Sequence, residues 1–91
     1  MGNISFPHDE AEDRNGPVVL FSAVDDGRAI ECVISFEALH TLGADYYFLL
    51  PTFIAHRGYI EQVAKKLIMN GRFEADGRIL IKSQDMQSLR R

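Results

Sequence analysis

Apolar residues alternate with mixed ones on both sides of Asp26-Gly27, over Val18 to Val24 and again over Arg28 to Ser35. A period of two in segments rich in Val, Ile and Phe predicts strands, and Asp-Gly supplies the positive φ angles of a two-residue hairpin turn. With that turn, Asp25 faces Arg28 and the ladder runs on through Ala23–Ile30, Phe21–Cys32 and Val19–Ile34, giving one wholly apolar face. The opposite face pairs Val24 with Ala29, Ser22 with Glu31 and Leu20 with Val33. It is less polar than a solvent-facing surface requires, so the pattern predicts that it is partly covered.

After the hairpin the period changes. Ser35 is placed to cap a short helix from Phe36 to Leu42 that stops at Gly43. Pro51 suits the first turn of a longer helix reaching Asn70, and because it would clash with an unbroken preceding turn, a break is expected near Leu50. In the long helix Phe53, His56, Ile60, Val63, Ala64 and Leu67 follow one face, while Glu61, Gln62, Lys65 and Lys66 follow the other. A second Asp-Gly turn, Asp76-Gly77, between Arg72–Ala75 and Arg78–Lys82 predicts a second hairpin. Ser83 then caps a last helical turn through Leu89, with residues 84–91 a frayed tail. Ahead of all this, Asn3–Phe6 reads as a short strand or arm, and the polar, acidic stretch from Pro7 to Pro17 as a loop. The expectation is an α+β fold: a small antiparallel sheet of three to five strands from two hairpins, with one short and one long helix on one face.

Composition limits the setting. The 91 residues, 46% hydrophobic and 25% charged, suit a single domain over 1–91 with one core. There is no apolar run long enough to span a membrane, and MGNISFPHDE lacks the marks of a signal peptide, so the expected location is the cytoplasm. The single cysteine, Cys32, agrees with a reducing compartment and excludes a cysteine-clustered zinc site. Phe6 stands where a myristoylation motif needs Ser or Thr. The net charge of −3 argues mildly against nucleic acid. Its distribution is uneven: residues 1–45 carry nine acids against two bases, and residues 46–91 eight bases against four acids. The two halves are electrically complementary.

The usual catalytic signatures are absent, with no Gly-rich phosphate loop, His-Glu-x-x-His, Cys-x-x-Cys or Gly-x-Ser-x-Gly. Cys32 alternates in phase with Ile30 and Ile34, which favours a buried strand cysteine over a nucleophile. His40 at a helix end and His56 on the apolar stripe are candidates for a pocket or, with Arg57, for phosphate contacts. For each histidine a hydrogen-bonded structural role is the favoured alternative. His8 among Asp9, Glu10, Glu12 and Asp13 has no EF-hand spacing and reads as a solvated loop rather than a cation site. Tyr46, Tyr47 and Phe48, with Arg57, Lys65, Lys66 and Arg72, could serve single-stranded nucleic acid, but an aromatic cluster ahead of a helix more often packs into a core or an interface.

Three segments together carry a resemblance: Ile30-Glu31-Cys32-Val33-Ile34-Ser35-Phe36-Glu37-Ala38-Leu39, then Phe53-x-x-His56-Arg57-x-x-Ile60-Glu61-x-x-Ala64, then Gly71-Arg72-Phe73-Glu74-x-Asp76-Gly77. In their order, from about Asn3 to Asp85, the chain resembles the domain-of-unknown-function family 1488. The resemblance implies a small stand-alone bacterial α+β protein and carries over no activity, cofactor or catalytic residue. One departure is that this chain has no tryptophan, which some relatives carry in the leading segment. The functional expectation is a non-enzymatic protein-interaction module, homodimeric, with Leu20, Val33, Tyr46 and Tyr47 as candidate interface. The alternatives are a small-molecule binder or enzyme using His40, His56 or Arg57, and a weak nucleic-acid contact through the basic helix face. No cofactor, metal or membrane partner is expected.

Overall fold

The computed structural model describes residues 3–13, 16–45 and 48–87. Tyr46, Tyr47 and the tail from residue 88 lie outside the described residues. Five strands form one sheet: β1 (Ile4–Ser5), β2 (Ala11–Asp13), β3 (Val18–Asp25), β4 (Arg28–Ile34) and β5 (Ile79–Ile81). Four helices, α1 (Phe36–His40), α2 (Leu49–Ala55), α3 (Arg57–Met69) and α4 (Ser83–Gln87), complete an α+β fold.

The central hairpin has the register that its turn dictates. Asp26 (φ 52°) and Gly27 (φ 86°) both lie in the left-handed region, as a two-residue loop of this twist needs, and the ladder runs from Asp25–Arg28 to Val19–Ile34. Val19, Phe21, Ala23, Ile30, Cys32 and Ile34 thus share the inner face, where they are buried with Leu39, Phe53, Ile60, Val63, Leu67 and Met86 of the helices. Phe21 packs in a tilted arrangement against Phe53 of α2, with ring centroids 5.0 Å apart, and against Phe6 of the leading segment at 6.3 Å.

The second hairpin does not form. β5 pairs with β4 in parallel, Cys32 opposite Ile79 and Ile34 opposite Ile81, so the sheet is mixed rather than antiparallel. The end of α3 gives the reason. Gly71 (φ 69°) closes a Schellman cap in which Arg72 N donates to Leu67 O and Gly71 N to Ile68 O, both at 3.0 Å. Arg72 is thereby committed to the helix end, and Phe73–Ala75 is too short for a ladder. A tight turn remains, with Gly77 N on Glu74 O at 2.9 Å and Glu74 N on Arg78 O at 2.8 Å. The helices between β4 and β5 form the crossover that parallel neighbours require.

Two further expectations are corrected. The helix break falls at His56 instead of near Leu50: Pro51 is the third residue of α2, where its missing N–H costs no helical bond, and α2 ends as His56 Nδ1 donates to Thr52 O at 3.0 Å. The acidic stretch is also not all loop, because Ala11–Asp13 pairs with Val18–Leu20 as β2. At the other helix Ser35 does cap α1, its Oγ accepting from Ala38 N at 3.2 Å.

Candidate functional site

Alternation along β3 and β4 leaves Leu20 and Val33 on the side of the sheet away from the helices, and the neighbouring strands extend that pair. Ala11 lies opposite Leu20, and Leu80 opposite Val33, so Ala11, Leu20, Val33 and Leu80 form one apolar row across four strands. Val33 is only 8% exposed, yet it lies outside the cluster that joins the other buried apolar side chains of the described residues. Beside it is a recess of about 140 Å³ lined by Val33, Glu74, Asp76, Arg78, Ile79 and Leu80. A polar row flanks it on one side, where Arg78 lies 3.7 Å from Glu31 and 2.8 Å from Asp76. Hydrogen bonds from the backbone and side chain of Arg78 hold the Asp76 carboxyl below the usual carboxylate range.

The edges of this sheet are treated differently from its face. β1 and β2 cover opposite ends of the outer edge of β3 and leave a gap between them, and there Asp9 Oδ1 accepts from Ser22 N at 2.9 Å. Bonds from Ser22 lower the Asp9 pKa from its ordinary 3.8, against a smaller opposing effect of burial. At the β5 edge Asp76 Oδ1 accepts from Arg78 N at 3.1 Å and Asp85 Oδ2 from Lys82 N at 2.9 Å. Ser35 N donates to Ile81 O, so Ile79 and Ile81 turn their backbone groups toward β4, and the open stretch at this edge shrinks to Leu80. Aspartates therefore occupy the backbone donors at both edges, which blocks a further strand from pairing there.

The other acids of the leading segment are also engaged. Glu10, whose side chain is 10% exposed, pairs with Arg57 Nη2 on α3; Glu12 Oε2 accepts from Leu50 N at 3.2 Å in the first turn of α2. Glu61 stands 4.0 Å from Arg57 Nε and 3.5 Å from His8 Nε2. Residues 4–12 are thus a strap across the sheet edge and the α2–α3 junction, anchored by Ile4 and Phe6 against the core. Part of the electrical complementarity of the two halves is used here, inside the chain.

The remaining candidates take structural positions. His40 Nδ1 donates to Ala44 O at 3.0 Å and its ring stacks on Phe36, while His56 closes α2 as described. Burial pushes the Cys32 thiol up to about 12, and its Sγ points to Ile30 O at 3.8 Å. Arg57 is brought to Glu10 and Glu61, and Glu61 in turn to His8. Lys65, Lys66 and Arg72 are exposed. Among the described residues no group of three or more His, Cys, Asp or Glu is placed to hold a metal ion, and no helix is long and apolar enough to cross a membrane. Sequence reading missed Ala11 and Leu80 as members of the apolar row. The Ile-Leu-Ile alternation could have flagged Leu80, whereas Ala11 sits in an acidic stretch with no periodic signal.

The family profile described as "Protein of unknown function (DUF1488)" matches residues 4–81. No curated protein matches the chain. Among solved structures, a protein of unknown function from the DUF1488 family of Shewanella loihica PV-4, at 1.60 Å resolution, is 28% identical with a TM-score of 0.78, over 86% of this chain and 90% of that one. With the profile spanning all five strands and most of the helical layer, the chain belongs to the DUF1488 family.

Proposed function

We propose that the protein is a non-enzymatic interaction module whose docking surface is the outer sheet face around Leu20 and Val33. The observation that carries this reading is the apolar row from Ala11 to Leu80, continuous across four strands and outside the main core cluster. In this row Ala11 is exposed, Leu20 and Leu80 are half-buried and Val33 is buried; a contiguous apolar row with a recess beside it is the kind of surface that marks a protein partner. The sealed edges favour the face as the site of contact, since strand addition has so few free backbone groups to use.

The alternatives draw less support. His40 and His56 spend their Nδ1 atoms on backbone carbonyls, and neither the recess beside Val33 nor a smaller one beside Leu67 is lined by them. Arg57, the basic residue nearest the helix break, is already matched by two carboxylates. Photocross-linking tests the proposal, with a photoreactive residue at position 20 and, as control, at position 65 on the exposed side of α3. A discrete adduct in the host cell from position 20 alone is expected. Adducts from both positions alike, or from neither, would overturn it.

A further inference from the structure

We propose that residues 4–12 form a carboxylate-locked strap that is released in acid as one unit, uncovering the outer edge of β3 while the core beneath stays folded. Three strap acids are each tied to a different element. Asp9 Oδ1 accepts from Ser22 N of β3 at 2.9 Å, Glu10 pairs with Arg57 of α3, and Glu12 Oε2 accepts from Leu50 N of α2 at 3.2 Å. The donors, two backbone N–H groups and a guanidinium, keep their protons throughout the acid range, so the carboxylates alone decide whether these ties exist. Beyond them the strap has few other holds: two residue pairs of β1, three of β2, and the half-buried side chains of Ile4 and Phe6. Because the three acids lie within four residues, losing one tie shifts the backbone that presents the others, and release is concerted.

The charged groups facing the strap set the direction of the response. On α3, Arg57 also stands 4.0 Å from Glu61, and Glu61 is 3.5 Å from His8 of the strap, so a protonated His8 works against release until Glu61 itself takes up a proton. The segment LLPTFIA of α2 presents no charge. On β3, Asp25 lies opposite Ile4, and beyond it Asp26 Oδ1 accepts from Asn3 N at 3.3 Å, a further carboxylate hold on the same end. On β4, Glu31 lies opposite Ser22, and Cys32, whose thiol feels the Asp9 charge, stays neutral in acid. The bonds from Ser22 hold the Asp9 carboxyl below its ordinary 3.8, so this tie is present above that value and lost as pH falls through the native one. Beneath the strap the balance differs. Among the described residues no charged or polar residue belongs to the buried core, so acid removes nothing from the packing of Phe21, Phe53 and Ile60. What release exposes is the outer edge of β3 and the side of Phe21 that Phe6 covers.

Amide NMR of the full chain from about pH 7 to about pH 3 reads the release directly, because Ser22 and Leu50 carry the amide protons that two of the strap acids accept. Those two signals are expected to shift together. Exchange protection of Ala11–Asp13, corrected for the intrinsic pH dependence of exchange, is expected to fall at least about 30-fold, while Ile30–Ile34 keep theirs. The triple variant Asp9→Asn, Glu10→Gln, Glu12→Gln should show the released pattern already at about pH 7 and no further acid step, with Ile30–Ile34 still protected. Loss of protection in Ile30–Ile34 together with the strap, in one transition, overturns the proposal, since acid then acts on the whole domain. So does a wild-type strap that keeps its protection at about pH 3, or a triple variant that keeps it at about pH 7 or still shows the acid step. Should the triple variant fail to fold, the wild-type titration decides alone, through the order in which the two sets of signals are lost.

Discussion

Neutralising Glu10 should loosen the leading strap without unfolding the sheet. Glu10 and Arg57 are buried unequally, with side chains 10% and 25% exposed, so their pairing falls between two regimes. Fully exposed pairs couple by about 0.2–1 kcal/mol, whereas stripping one partner from a buried pair costs about 3–5 kcal/mol. In Glu10→Gln the Arg57 guanidinium keeps Glu61, 4.0 Å from its Nε, which limits the loss to about 1–2 kcal/mol. In Arg57→Gln a largely buried carboxylate loses its cation and keeps Glu61 as a like charge nearby, so the cost rises to about 2–3 kcal/mol. For a domain of this size each kcal/mol moves Tm by about 4–8 °C, and the two variants should separate clearly in a melt. Urea titration of both singles and the double variant gives the coupling, expected at about 1–2 kcal/mol. Amide exchange locates it: Ala11–Asp13 should lose protection in Glu10→Gln while Phe21–Ala23 and Ile30–Ile34 keep theirs. A coupling below about 0.3 kcal/mol, or exchange that rises evenly over the sheet, would refute the strap as an electrostatically held unit.

Asp9→Asn tests the edge bond. The native carboxyl lies below its ordinary 3.8, so its stabilisation is present above that pH and lost as pH falls through the native value. The variant should therefore be less stable by about 0.5–1 kcal/mol at neutral pH, with the deficit vanishing in acid once the native carboxyl is protonated; a deficit unchanged by acid would count against the ionic bond to Ser22. Two glycines should respond with opposite signs in chemical denaturation: Gly27→Ala, at φ 86°, is expected to cost about 1–2 kcal/mol. Gly58→Ala, in α3 with open space around it, should gain about 0.5–1 kcal/mol. With its thiol pushed up to about 12, Cys32 should react with iodoacetamide near pH 8 about a thousandfold more slowly than a free thiol until denaturant is added; fast labelling of the folded chain would contradict its burial.

What the chain discloses locally was legible. Asp26-Gly27 admits one register, and all seven pairs from Asp25–Arg28 to Val19–Ile34 follow from it. Ser35, Gly71 and the stripe from Phe53 to Leu67 likewise announce helix ends and a buried face through nearby residues. The misses share a cause, because each depends on a partner distant in sequence. Asp76-Gly77 has hairpin chemistry, but Arg72 is taken by the cap of α3 and β5 turns to β4, some fifty residues back. Ala11–Asp13 has no strand pattern of its own and becomes one by lying along β3. Leu20 and Val33 were visible because the hairpin fixes both of its faces; Ala11 and Leu80 joined them only once β2 and β5 had been placed.

The acids that looked like surplus charge are engaged along the edges of this sheet and in its leading strap. An open edge invites pairing that repeats without limit, since each added strand presents a new edge, and Asp9, Asp76 and Asp85 occupy the backbone donors where that would begin. A face behaves differently: once two faces meet about a two-fold axis, neither copy presents the same surface again, and the assembly closes at two. Carboxylates at the edges and an apolar row on the face are therefore consistent with each other, the first suppressing open-ended association and the second permitting one that ends. The opposed charges of the two halves fit the same division. Glu10, Glu12 and Glu61 hold the strap, and Arg78 is matched within the chain by Glu31 and Asp76.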